Sequence, residues 1–230
     1  MSIWDDVIGE QDRLVYRESG YGEGKIGLGQ KPALIVVDVT YNFMGDKPEP
    51  VLESIKRFPY SCGEVGWVGV RHIASLLPLA RQKKVPVIYS VPSPDPKPPG
   101  WLFIKSARAG EVAKAPLKYN EIVAEIAPAK QDTVIYKTRP SVFFGTPLLA
   151  FLQGLGVDTL LVCGCVTSGC VRATVVDGFS YNFRVGLIEE CTFDRGDLSH
   201  KVNLFDMNAK YADVISLAQT KDYLSLIQAY

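Results

Sequence analysis

Six short apolar runs, rich in β-branched residues and mostly separated by helix-like patterns, constrain this chain more than any other feature. They read ALIVVDV (33–39), VPVIYSV (85–91), DTVIYK (132–137), VDTLLVCG (157–164), RVGLIEE (184–190) and the weaker ADVISL (212–217). The runs are almost continuously apolar instead of alternating, which is the pattern of strands covered on both faces. Strands that alternate with helical segments build βαβ units. The expected fold class is therefore α/β, a mostly parallel sheet with helices on both sides and right-handed crossovers. An amphipathic stretch at 73–84 precedes the second run.

Two segments break this rhythm. Residues 45–66 contain KPEP and RFPYSCGEVG, and residues 92–101 read roughly as PSPDPKPPGW. Both exceed the about two to six residues usual for a βα connection. The second is expected to be extended, because its prolines resist helix. Each is expected to act as a lid or as a subunit contact. The first thirty residues, running into GYGEGKIGLGQKP, read as an arm (1–30) on a single domain spanning 1–230.

Composition narrows the class of function. The 230 residues are 47% hydrophobic and 22% charged, enough for one domain with a sizeable core. A formal net charge of zero argues against a general nucleic-acid or anionic-membrane surface. The polar, acidic N-terminus lacks the pattern of a signal peptide, and no apolar run approaches the roughly 18 residues of a membrane span. Five cysteines, an odd number with three inside apolar runs, fit a reducing compartment better than a disulfide framework. The expectation is a cytoplasmic protein with no nucleic-acid or membrane partner.

Open parallel sheets bind ligands beyond the carboxyl ends of their strands. Asp38 ends the first run, Lys137 closes the third, and Cys170 follows the fourth in CGCVTSGCVRAT, just before the helical pattern VRATVVDGFSYN. An acid, a base and a thiol are thus expected on one edge. A helix N-terminus and a nearby ammonium both favour a thiolate. A carboxylate in reach takes the thiol proton and returns it to a leaving amine. Backbone N–H groups of VTSGC are placed to meet an oxyanion. Together these describe acyl transfer to sulfur, with amide hydrolysis as its use. Each residue alone has an ordinary alternative: a turn cap for Asp38, a solvated strand end for Lys137, small-residue packing for Cys170.

Other chemistries fit less well. Cys163, Cys165 and Cys170 do not form a C-x-x-C pair, and the two histidines, His72 and His200, have no ligand-like spacing. Cys163 and Cys165 alternate about Gly164 and are expected to point to one sheet face. GYGEGKIGLG precedes a strand instead of following one, and GCVTSG is not G-x-G-x-x-G, so the phosphate-cradle contexts are missing. No metal and no cofactor are expected.

ALIVVDV, KTRPSVFFGT and VCGCVTSGCVRATVVDGFSYNFR, with the flanking YGEGKIGLGQKP and NLFDMNAKYADV, resemble the isochorismatase-like cysteine hydrolases, closest to their N-carbamoylsarcosine amidase branch. The resemblance spans about 21–214. It implies a three-layer fold on a six-stranded parallel sheet of order 3-2-1-4-5-6, and a homo-oligomer, dimer or tetramer. It implies Cys170 as nucleophile, Asp38 as general base and acid, and Lys137 as their charge partner. It further implies a cis peptide at Cys165–Val166, an oxyanion hole from the N–H groups of Val166 and Cys170, and Arg195 as a ligand for a substrate carboxylate. Phe43, Trp101, Phe143 and Phe144 are candidate pocket walls or core residues, and Thr167 is a candidate substrate contact. Val166 stands where relatives usually carry Thr. The segment after the first run has no histidine, unlike the metal-binding nicotinamidases. The expected activity is a cysteine-dependent hydrolysis of a small amide or N-carbamoyl C–N bond with release of ammonia. Rival readings are maleamate amidohydrolase, another small-molecule hydrolase of the family such as a vinyl-ether hydrolase, and a non-catalytic module that binds small anions.

Overall fold

A computed structural model of the chain describes residues 2–95 and 105–228. Its centre is one six-stranded, all-parallel sheet of order β3-β2-β1-β4-β5-β6. The strands are β1 (Pro32–Val37), β2 (Val87–Pro92), β3 (Thr133–Lys137), β4 (Thr159–Cys165), β5 (Arg184–Phe193) and β6 (Asp213–Ile215). The helices are α1 (Glu10–Glu18), α2 (Tyr41–Met44), α3 (Val51–Arg57), α4 (Glu64–Gln82), α5 (Ala109–Ala113), α6 (Leu148–Gly154), α7 (Arg172–Ser180), α8 (Asp197–Lys210) and α9 (Leu217–Leu226). Every residue of β1 and β4 is buried.

Alternate residues of each strand enter two separate cores. Leu34, Val36, Leu161 and Cys163 pack with α4 and α9 on one face. Ala33, Ile35, Val37, Leu160 and Val162 pack with α6, α7 and α8 on the other. The continuous apolar runs have this cause: in a doubly covered sheet no strand face is left for polar residues. Among the described residues no helix is long and apolar enough to cross a membrane.

The 45–66 segment differs from its reading as a long loop. It holds α3, and α4 begins at Glu64, well before the amphipathic pattern at 73 becomes visible. Gly63, Gly66, Gly69 and Pro78 mask the helix in the sequence, since both residue types are poor helix formers. At Gly69 a close approach accounts for the missing side chain, because a Cβ there would overlap the Phe193 ring. Of the 92–101 segment, Pro92 closes β2, while 96–101, including Trp101, lie outside the described residues. The N-terminal arm carries α1, which buries none of its residues, and it reaches the body through Trp4 and Tyr16, whose rings pack on Phe205.

The order of strands reverses direction at β1, which lies between β2 and β4. That reversal opens the crevice in which doubly wound sheets place their ligands. The approach of β1 and β4 there is close: Gly164 has φ 104°, and a Cβ on it would collide with the Val37 backbone. Gly164→Ala is expected to cost about 2–4 kcal/mol, from a disfavoured backbone conformation and an overfilled strand contact. Urea denaturation of the variant measures this.

Candidate active site

Asp38 follows β1 directly and sits in the left-handed region at φ 52°, uncommon for a residue with a side chain. Neighbouring elements hold it in this conformation. Its N–H donates to the Ser90 carbonyl on β2 at 3.1 Å, its carbonyl accepts from the Cys165 thiol at 3.2 Å, and its Oδ1 accepts from Ser90 Oγ at 2.9 Å. Backbone held in this region typically costs about 1–3 kcal/mol and tends to mark functional positions.

Lys137, the last residue of β3, reaches across the end of β2. Its Nζ lies 2.7 Å from Asp38 Oδ2, with Asp38 and Lys137 side chains only 1% and 5% exposed. Nζ also donates to Cys170 Sγ at 3.4 Å and to the Arg139 carbonyl at 3.1 Å. Asp38 Oδ2 is enclosed and meets the Lys137 ammonium as a close ion pair.

Cys170 lies in a single wide helical turn, Thr167–Val171, between β4 and α7. The Val171 N–H bonds back five residues to the Val166 carbonyl at 3.3 Å, a form of turn recurrent at functional sites. The Cys165–Val166 peptide is cis. The Cys170 carbonyl accepts from Thr174 Oγ1 at 2.7 Å, which ties the turn to the first turn of α7.

Opposing influences act on the sulfur. Burial and the Asp38 carboxylate push the Cys170 thiol up to about 12, against the pull of Lys137. Burial disfavours the Lys137 ammonium, yet Asp38 and the Cys170 sulfur outweigh it and raise its pKa above the ordinary lysine value. Both shifts favour an ammonium on Lys137 and a protonated thiol on Cys170. A buried carboxylate is a stronger influence on the sulfur than the sequence pattern of a helix start conveys.

The other candidate residues scatter. Phe43 on α2 is buried and stacks on Tyr60, ring centroids 6.1 Å apart. Phe143 belongs to the core with α6 and α7, packed on Tyr181 and Phe183. Phe144 beside it is 62% exposed. Thr167 is fully buried, its Oγ1 2.7 Å from His200 Nδ1 on α8. Arg195, just past β5, donates through Nη2 to the Tyr60 carbonyl at 2.8 Å and remains partly exposed. Tyr60 comes from the 45–66 segment, and its buried hydroxyl has no hydrogen-bond partner among the described residues. Ser90, Ser168, Asp194, His200 and Tyr60 were missed in the sequence. Each is an unremarkable polar or aromatic residue brought in from a distant element. Among the described residues no three His, Cys, Asp or Glu side chains converge as metal ligands, and all five cysteines are free.

A doubly wound parallel sheet thus brings Asp38, Lys137 and Cys170 together at its carboxyl edge. The family model for the isochorismatase domain matches residues 32–219. The chain belongs to the isochorismatase family. It is 35% identical over 199 residues to the maleamate amidohydrolase of Pseudomonas putida, covering 84% of this chain and 86% of that protein. It is 30% identical over 228 residues to the N-carbamoylsarcosine amidase of an Arthrobacter species, covering 96% of this chain and 81% of that one. The crystal structure of N-carbamoylsarcosine amidase from Thermoplasma acidophilum matches with a TM-score of 0.59 at 25% identity, over 80% of this chain and 98% of that one. These relatives put the chain near the N-carbamoylsarcosine amidase branch.

The buried pair gives a stability prediction. Lys137→Met leaves the Asp38 carboxylate unpaired and is expected to cost about 3–5 kcal/mol at pH 7. Adding Asp38→Asn to it should recover most of that loss in urea melts. Because the Lys137 pKa is raised on folding, its contribution to stability is complete at neutral pH. It fades only as pH rises above the ordinary lysine value through the folded one.

Proposed function

We propose that this chain is a cysteine-dependent amidohydrolase that cleaves a small amide or N-carbamoyl C–N bond and releases ammonia. The observation that carries this reading is the contact of one buried ammonium with both the Asp38 carboxylate, at 2.7 Å, and the Cys170 sulfur, at 3.4 Å. The match to two curated amidases over most of the chain supports it.

The protonation states set the order of events. Since burial and Asp38 hold the thiol toward its neutral form, its proton leaves as the carbon–sulfur bond forms, and the Asp38 carboxylate beside it is the acceptor. Sγ attacks the substrate carbonyl carbon, and the carbonyl electron pair moves to oxygen. The N–H groups of Val166 and Cys170 face that oxyanion. Collapse of the tetrahedral adduct expels the amine, which takes the proton from Asp38 and departs as ammonia. Water then gives a proton to Asp38 and its oxygen attacks the acyl carbon. Cleavage of the carbon–sulfur bond returns the proton to Cys170 and frees the acid. Lys137 keeps its charge throughout and holds the two reacting groups in one geometry. Arg195 binds a carboxylate on the substrate, and Phe43 contributes to the apolar wall.

Ammonia release from N-carbamoylsarcosine, other N-carbamoyl amino acids, maleamate and short amides tests the reading, with a vinyl-ether substrate as the separate arm. Cys170→Ser and Asp38→Asn are each expected to lose at least about 10³-fold in kcat on the preferred substrate. Ammonia release that survives in Cys170→Ala would overturn the nucleophile assignment. The neutral thiol adds a second expectation. Alkylation of Cys170 in the substrate-free protein should rise about tenfold per pH unit between pH 7 and 10 without levelling off, because the thiolate fraction is still climbing there. A plateau near pH 8 in mass-spectrometric rate measurements would contradict it.

A further inference from the structure

One carboxylate outside the Asp–Lys–Cys cluster touches both the turn that carries Cys170 and the backbone that carries Arg195. Asp194 is the first residue after β5, and its side chain is only 2% exposed. Its Oδ2 accepts two hydrogen bonds from Ser168, from the backbone N–H at 2.9 Å and from Oγ at 2.6 Å. Its Oδ1 accepts the backbone N–H of Arg195 at 2.8 Å and lies 4.0 Å from the Arg195 guanidinium. Ser168 stands two residues before Cys170 in the Thr167–Val171 turn. On its other side the turn is held by the Thr167–His200 contact at 2.7 Å. Burial keeps the His200 imidazole below the ordinary histidine value, against Asp194 and Asp197, so that contact is with a neutral ring near pH 7.

The two oxygens of Asp194 thus have separate duties. Hydrogen bonds to a carboxylate are roughly twice as strong as neutral ones and short enough to restrict geometry. A turn bonded five residues apart is rare and recurs at functional sites, and here the backbone N–H and Oγ of Ser168 within it are both tied to Asp194. We infer that Asp194 is a positioning residue. Through Oδ2 it sets the turn that presents Cys170 and its N–H, and through Oδ1 it sets Arg195, so that the distance between nucleophile and carboxylate anchor is held by one buried side chain. This deepens the amidohydrolase reading and rests on it.

Asp194→Asn is the informative variant. An amide has one oxygen for two backbone N–H groups on opposite sides, so either Ser168 or Arg195 faces an N–H donor instead of an acceptor. Asp194→Asn is expected to lower kcat about 10–100-fold on the preferred substrate, since small misplacements of a reacting group carry penalties of this order. Cys170 alkylation at pH 8, measured without substrate, should slow as Sγ leaves Lys137. Asp194→Glu, which restores two acceptors, should regain part of both. Ser168→Ala removes one of the two bonds and is expected to lower kcat and alkylation about three-fold with KM unchanged. Arg195→Ala should instead raise KM and leave alkylation unaltered.

Wild-type kcat and alkylation in folded Asp194→Asn would overturn the inference, and so would an unchanged Ser168→Ala if Asp194→Asn fails to fold. Loss of all activity in Cys170→Ser alongside that result would leave the amidohydrolase reading standing. Activity retained in Cys170→Ser would remove the reading itself.

Discussion

A carboxylate and an ammonium buried together at the end of the sheet are the interaction on which the rest of the site depends. Neither charge is tolerable alone at this depth, since removing an ion from water costs several kcal/mol even after relaxation. Beside Asp38 the Lys137 ammonium is favoured despite its burial, and the low local polarisability makes charges strong at short range. The neutral state of the Cys170 thiol follows. Asp38 and burial oppose a second negative charge more than Lys137 invites one. Such a pair contributes less to stability than to geometry. It holds the proton acceptor beside the sulfur and keeps a permanent positive charge beside both.

The fold supplies that pair and the thiol beside it from three separate strands. β1 delivers Asp38, β3 delivers Lys137 across the end of β2, and the turn after β4 delivers Cys170. β1 lies between β2 and β4, so both neighbouring strands reach Asp38 at its end. Ser90 from β2 and Cys165 from β4 hold Asp38 in its left-handed conformation from opposite sides. Cys165, through its thiol on the Asp38 carbonyl, is thereby part of the support of the site. Gly164 next to it permits the backbone of β4 to come against β1.

Much of this was legible from residue order. Strand-end positions follow from the apolar runs, so Asp38, Lys137 and the Cys170 turn fall on one edge without any coordinates. The helix from Glu64 was hidden, because Gly66 and Gly69 lower local helix propensity while serving the packing of Met44, Cys62 and Phe193. Phe143 and Phe144 read alike in the sequence, yet one enters the core under α7 and its neighbour faces solvent. A pair of adjacent aromatics carries no signal that separates the two outcomes.

The sequence by itself determined the fold class, the parallel sheet and the edge on which acid, base and thiol meet, because burial on both faces forces continuous apolar strands and leaves polar residues only at their ends. Tertiary structure alone decided the charge states and the supporting contacts. Desolvation and distance act between residues far apart in the chain. The neutral Cys170 thiol, the pairing of Thr167 with His200, the anchoring of Arg195 on Tyr60 and the carboxylate of Asp194 under Ser168 exist only once those segments are brought together.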